Sequence, residues 1–535
     1  MKRGTILLFL IFILAATLRF YKVGEIPPSL TWDEVSLGYN AYSIGETLKD
    51  EHGRFLPYDF FSAFGDYKPP LYIYADVLPI KIFGLNEFAV RFPSALAGTL
   101  AVVITYFLVL EMFANRNLAL LTSLLLAISP WHTQLSRAAF EANLASFLII
   151  LGAFLLFKGL KRPSIFPLAA IPFAASIYTF NSARIAAPLL LLGFVIIYLT
   201  RIWPAKKWII LTFVLAGILI LPLLPHLTSK EGRLRFNEVN IFTDLTTVKT
   251  ANERIDRDQN VWWANILHNR RVGFSLLYLN HYFDHFNPDF LFIKGDGNPK
   301  FSLQDMGELY IWEFPFIFAG LYFLVRQKNL AAVFVIFWML AAIAPAATAR
   351  ETPHALRIEN SLPTWQIISA FGVFGLAATI KKQGRVWGKL FVLALGFVAF
   401  FSFYYYLHNY YNHYPREFSN EWQYGYKEAI NYVSQVEQNY DRVVMTEALG
   451  RPYIYLLFYK KYDPEKYWQS GKVEKDAFGF YHVASFDKYF FGSREVIKRD
   501  GKALFIASPF DVPPDAKILK TIPLLNGENI LTIYE

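Results

Sequence analysis

The sequence predicts an α-helical polytopic membrane protein of about eleven transmembrane helices, with outward juxtamembrane helices and a small C-terminal α/β domain. Three observations carry this. Apolar residues lie in long uncharged blocks, such as 118–129 and 209–224; Lys and Arg gather in the short stretches between blocks; and the polar length concentrates in three segments. Of 535 residues, 54% are hydrophobic and only 18% charged, and the mean hydropathy is +0.29, which argues against a string of soluble domains.

Taking roughly twenty apolar residues per crossing, spans fall near 5–20, 88–113, 118–132, 143–160, 164–180, 185–200, 207–227, 309–326, 329–346, 362–380 and 388–408. The first follows Met1-Lys2-Arg3 and has no small-residue cleavage site before the charged loop, so it reads as a retained signal anchor. With a cytoplasmic N-terminus, the inside loops hold Arg116; Lys158, Lys161 and Arg162; Arg201, Lys206 and Lys207; Arg326 and Lys328; and Lys381, Lys382, Arg385 and Lys389. The positive-inside pattern is unbroken. An odd number of spans then sends three segments outward: a first loop, 21–87, a second large loop, 228–308, and the tail after Asn409. The expectation is a multi-pass cell-membrane protein with a transmembrane domain over 1–408 and an extracytoplasmic domain over 409–535.

The tail has mixed signals. Residues 422–438 carry helical spacing, 441–446 and 503–508 are β-rich, and 521–534 read as a strand pair around Asn526-Gly527. The inside loops are too short to build a nucleotide pocket, so the chemistry is expected to face outward. The net charge of +9 is absorbed by topology charges spread over five loops, leaving no basic patch for nucleic acid. With no cysteine, the chain has no disulfide, thiolate metal site or cysteine nucleophile. Internal repeats and Gly-rich phosphate loops are missing as well.

The first loop supplies the most informative stretch, Pro28-Ser29-Leu30-Thr31-Trp32-Asp33-Glu34. Thr31-x-x-Glu34 matches a capping box, which gives Glu34 a structural task at a helix start; capping does not require Asp33. Tyr67-Lys68-Pro69-Pro70-Leu71 fixes a lysine beside paired prolines. Arg91 begins the second span. Arg137 and Glu141, four residues apart, lie at the mouth of the fourth, where a surface pair would contribute only about 0.3–0.5 kcal/mol. Arg184, and Arg357 in Pro353-His354-Ala355-Leu356-Arg357, sit at outward span ends, against the positive-inside tendency. An anionic ligand would account for that placement. His281 and His285, flanking Asp284, have metal spacing on a helix but lack a third defined ligand, and read as interfacial side chains.

Asp-Glu in an outward loop, then Lys-Pro-Pro-Leu, then Val90-Arg91-Phe92-Pro93-Ser94-Ala95-Leu96, then an acidic residue opening the fourth span: this series resembles the superfamily of protein O-mannosyltransferases and lipid A aminoarabinose transferases, over roughly residues 1–200. These are polytopic GT-C glycosyltransferases that use polyprenyl-phosphate sugars. The segments 280–310 and 354–363, and Pro452 to Tyr459, are similar to bacterial and archaeal members. The resemblance implies Asp33 as catalytic base and Lys68 as a contact to the donor phosphate. Glu141 stands where members usually have aspartate, in catalysis or acceptor positioning. Glu34, Arg91, Arg137, Arg184, His354 and Arg357 complete the expected substrate-binding set. The pattern names no cofactor and leaves room for a divalent cation near Asp33 and Glu141. The β-trefoil of protein mannosyltransferases is not evident, so the acceptor stays open among glycan, lipid and protein.

On this reading one sugar moves, with inversion, from polyprenyl phosphate to a hydroxyl at the outer membrane face. The phosphate leaves without a proton, so the reaction needs a base more than an acid. Two alternatives predict other features. An oligosaccharyltransferase would carry Trp-Trp-Asp-Tyr-Gly in its tail, which Trp262-Trp263-Ala264-Asn265 and Glu421-Trp422-Gln423-Tyr424-Gly425 do not match. A flippase or transporter of lipid-linked sugars would place polar residues mid-span, whereas here charges crowd the span ends.

Overall fold

The computed structural model describes residues 3–229, 232, 238–475, 481–492 and 501–535. Met1 and Lys2, and part of the second large loop, lie outside them. Every expected span contains a helix: Arg3–Phe20, Glu87–Phe113, Arg116–Ile128, Glu141–Gly159, Phe166–Ile177, Ala183–Ile197, Lys206–Ile220, Phe314–Arg326, Leu330–Ile343, Thr364–Gln383 and Arg385–His408. Among the described residues, five continuous helical stretches are long and apolar enough to cross a bilayer, the longest being Arg385–Glu417 with 33 residues. Several present bare apolar surface. In the helix Arg385–His408, Leu393, Phe397 and Phe400 are each about seven-tenths exposed, which water would penalise and lipid tails accommodate.

The expected span over 118–132 is corrected in one detail. Its helix stops at Ile128, Ser129 turns out of helical geometry with ψ 126°, and a short helix Pro130–Leu135 begins. The cause is local, because a residue before proline is pushed away from the α region.

The chain divides into two compact units that ignore chain order: Met1–Leu18, Ala97–Leu135 and Glu141–Tyr404 form one; Arg19–Leu96, Ser136–Phe140 and Tyr405–Glu535 form the other. The first unit holds most of the spans. The second joins the first loop to the tail.

In the second unit, Trp32–Thr47 packs against Leu71–Phe83 and against the tail helix Pro452–Tyr459. Gly38 permits this close approach; a Cβ there would stand 2.5 Å from Val90 and 2.8 Å from Phe458. A two-stranded hairpin, β1 (Phe61–Ala63) and β2 (Asp66–Lys68), pairs Phe61 with Lys68 and delivers the lysine to Pro69-Pro70. Among the described residues the tail sheet has seven strands: β3 (Arg442–Met445), β4 (Lys472–Lys475), β5 (Tyr481–Phe486), β6 (Tyr489–Phe491), β7 (Ala503–Ala507), β8 (Ile518–Pro523) and β9 (Asn529–Tyr534), in the order β4-β5-β6-β3-β7-β9-β8. Among the described residues only β3 pairs in parallel, with β6 and β7.

The expected strands β3 and β7 and the β8–β9 pair form. The helix expected over 422–438 is shorter, Tyr426–Val436. Not anticipated were β4 to β6 and the helix Pro452–Tyr459. Seven of its eight residues are buried, so it has no polar face and no readable period.

Candidate active site

Asp33 lies in the first turn of Trp32–Thr47, and its start is built as the sequence predicts. The Thr31 hydroxyl accepts from the Glu34 N–H at 3.3 Å, and the Thr31 N–H donates to Glu34 Oε2 at 2.9 Å. Turning in opposite directions, the two carboxylates meet different partners. Asp33, with its side chain about half exposed, pairs with Lys68 Nζ at 2.8 Å; the lysine side chain is 10% exposed. The hairpin and the twin prolines therefore aim a cation at a carboxylate that water and ligands can reach.

Glu34 is buried. Arg91 donates to it through Nε (2.9 Å) and Nη2 (3.3 Å), and the Ala139 N–H donates at 2.9 Å. The rest of the Arg91 guanidinium is spent on the carbonyls of Val23, Pro27 and Ser29. Arg137 repeats the device: its Nη2 donates to the Tyr21 and Ile26 carbonyls at 2.8 and 3.0 Å, and its Nε to the Tyr410 hydroxyl at 3.0 Å. Both arginines are fully buried. Together they tie down the segment 21–29 that leads to Asp33. Arg137 occupies the turn before the helix that Glu141 starts, so the two residues do not share a helix.

The tail closes on the same segment. Tyr455 of Pro452–Tyr459 donates to the Leu30 carbonyl at 3.0 Å, and Trp32 lies against Gly450, whose φ of +81° and lack of Cβ admit the ring. Glu87 receives Lys427 at 2.7 Å and the Tyr459 hydroxyl at 3.2 Å.

The remaining candidates lie in the first unit. Glu141 starts its helix, Arg184 lies in the first turn of Ala183–Ile197, and His354 and Arg357 sit in a loop fastened by Asp296. Asp296 Oδ2 accepts the Ala355 N–H at 2.7 Å, and the Asp296 N–H donates to Glu308 at 3.0 Å. Burial pushes the Asp296 carboxyl up to about 6, against the pull of the Asn298 and Ala355 N–H groups. His354 Nδ1 stands 3.5 Å from Asp296 without hydrogen-bond geometry; burial, and Arg357 nearby, keep the imidazole neutral. The Arg357 side chain, 19% exposed, donates to the Glu351 carbonyl at 3.1 Å. His281 and His285 face backbone carbonyls, of Ala349 and of His281, each at 2.8 Å. Among the described residues, no three His, Asp or Glu side chains converge as metal ligands.

Sequence reasoning missed the buried carboxylates Asp76 and Glu51 of the second unit. Both are fully buried. Burial raises Asp76, with Glu34 adding to the rise, and brings Glu51 up to about 8, with Asp50 adding to it. Neither sits in a recognisable motif. Asp296, by contrast, lies in Gly295-Asp296-Gly297-Asn298-Pro299, a turn signature that sequence reading could have flagged.

The sequence model of the dolichyl-phosphate-mannose-protein mannosyltransferase family matches residues 9–234. The candidate mannosyltransferase YkcB of Bacillus subtilis (strain 168) is 27% identical over 197 residues, which are 36% of this chain and only 26% of YkcB. ArnT from Cupriavidus metallidurans, solved bound to undecaprenyl phosphate, superposes with a TM-score of 0.56 at 11% identity, covering 99% of this chain and 97% of its own. The archaeal oligosaccharyltransferase AglB from Archaeoglobus fulgidus, solved with an inhibitory peptide and a dolichol-phosphate, gives 0.52 at 13% identity, covering 94% of this chain and 75% of its own.

The chain shares the polytopic membrane fold of these two solved proteins. Over residues 9–234 the chain is similar to the dolichyl-phosphate-mannose-protein mannosyltransferase family, and it spans about a quarter of the length of the curated mannosyltransferase relative it matches.

Proposed function

We propose that the chain transfers a sugar from a polyprenyl phosphate to a hydroxyl acceptor at the extracytoplasmic membrane face, with inversion, using Asp33 as general base and Lys68 as the cation that meets the donor phosphate. The observation that carries this reading is the 2.8 Å pair between a half-exposed aspartate and a nearly buried lysine on a clamped segment. The pair is also a switch. An arriving phosphodiester competes for Lys68, and Asp33, released from its cation, becomes the stronger base. The acceptor O–H proton passes to the Asp33 carboxylate as the oxygen attacks the anomeric carbon. The bond from that carbon to the phosphate oxygen breaks on the opposite face, and the electron pair leaves with the phosphate. Lys68 balances the charge that develops there.

Glu34, Arg91 and Arg137 act in this reading as positioning residues, since their polar atoms are spent on protein partners. Glu141, Arg184, His354 and Arg357 are given no step. The outward placement of both large loops and of the 409–535 domain belongs to the same proposal, as does a cytoplasmic N-terminus. The test incubates purified protein with a panel of polyprenyl-phosphate sugars and measures release of free polyprenyl phosphate, wild type against Asp33→Asn. Release that vanishes in the variant supports the transferase. Scrambling of lipid-linked sugar without turnover, equal in both proteins, identifies a flippase instead.

A further inference from the structure

The second large loop carries apolar surface that the catalytic proposal leaves unexplained. Its helix Arg270–Asp284 has two faces. One is fixed to the end of the span Leu330–Ile343: Tyr282 donates to the Leu340 carbonyl at 2.9 Å, Tyr278 to the Ala344 carbonyl at 3.1 Å, and His281 reaches Ala349. The other face exposes Leu276, Leu279 and Phe283, at spacings of three and four residues, between 48% and 63%. Just before it, the short helix Trp262–Leu267 exposes Trp262 by 76%, with Ile266 and Leu267 each at 56%.

Leu340, whose carbonyl holds Tyr282, is itself 41% exposed on an apolar span, so the bare stripe continues the surface that lipid tails cover. Arg270 and Arg271 open their helix with no acidic residue in its first turn, at the end where the helix dipole disfavours cations. Lipid phosphates would reverse that penalty. Tryptophan beside leucine, rimmed by arginine, is the composition that seats at the headgroup boundary.

We infer that residues 262–283 form an interfacial hairpin that docks on the bilayer surface through Trp262, Leu267, Leu276 and Phe283, with Arg270 and Arg271 on anionic lipid headgroups. The hairpin anchors the second loop to the leaflet in which a lipid-linked donor would travel. This holds whether or not Asp33 is the base.

The cysteine-free chain makes the test direct. Single cysteines at Leu267 and Leu279, and at Asn526 in the tail turn as reference, are labelled with an environment-sensitive fluorophore in nanodiscs of phosphatidylcholine with or without phosphatidylglycerol. The expected result is strong quenching of both loop labels by doxyl lipids, with iodide quenching several-fold below that at Asn526. A double Arg270→Gln/Arg271→Gln variant should abolish any dependence on phosphatidylglycerol. Iodide access equal to that at Asn526 would overturn the docking. Lipid quenching indifferent to headgroup charge and to the arginines would overturn the anionic assignment. Protection that grows with protein concentration in detergent would overturn it in favour of a second copy.

Discussion

Two sides of one helical turn, one residue apart, receive carboxylates with opposite fates. On the open side, Asp33 is half exposed and pairs with Lys68 at 2.8 Å. On the closed side, Glu34 is buried and takes donors from Thr31, Arg91 and Ala139. The difference teaches how an adjacent acidic pair divides labour: the carboxylate at the surface is within reach of a ligand, and the buried one fixes the frame around it.

The largest expected effect tests the open side. Asp33→Asn should lower turnover on the order of 10³- to 10⁴-fold, about 4–5 kcal/mol of barrier, with the melting temperature little changed, because Asp33 is half exposed and asparagine keeps a polar oxygen for Lys68. Normal turnover in this variant would remove the base assignment. On the closed side, Arg91→Met should cost roughly 3–4 kcal/mol of stability by stranding Glu34 as an unpaired buried charge. Thermal unfolding in detergent reads this, and a Glu34→Gln/Arg91→Met double variant should recover part of the loss. If Arg91→Met melts like wild type, the clamp is not what holds the segment.

Next comes Glu51, a carboxyl that burial holds protonated up to about 8, against an ordinary value of 4.5. Between those values folding takes up a proton, so its contribution to stability is complete below about 4.5, falls as pH rises, and is lost through about 8. Glu51→Gln should flatten the melting profile between about pH 5 and 8 and stabilise the protein at the upper end by on the order of 1–3 kcal/mol. Parallel wild-type and variant profiles would show that Glu51 does not titrate there. The smallest effect belongs to Tyr455→Phe, which deletes the hydrogen bond to the Leu30 carbonyl. Stability should fall by about 1 kcal/mol, and kcat severalfold with KM little changed, since the hydroxyl acts through the Asp33 segment.

Much of this was legible in advance, for physical reasons. Span positions follow from the requirement for apolar length, and all eleven expected positions carry helices. The capping box at Thr31 is a local motif with local consequences, and it forms as written. The hairpin that aims Lys68 could not be read from residues 61–68, where two three-residue strands leave no period to detect. The roles of Arg91 and Arg137 were illegible in a different way. An arginine at a helix end looks the same in sequence whether it meets lipid phosphate or backbone carbonyls 62 to 116 residues distant. Tyr455 reaches across 425 residues to Leu30, a separation at which no local pattern carries information.

The interleaving of the second unit has a consequence for biosynthesis. The segment with Asp33 and Lys68 leaves the ribosome hundreds of residues before Tyr455 and Lys427 exist to hold it. Most of the chain is thus made while the second unit is unfinished, and only arrival of the tail completes it. Premature termination within the tail would leave the Asp33 segment without the Tyr455 and Lys427 contacts that hold it.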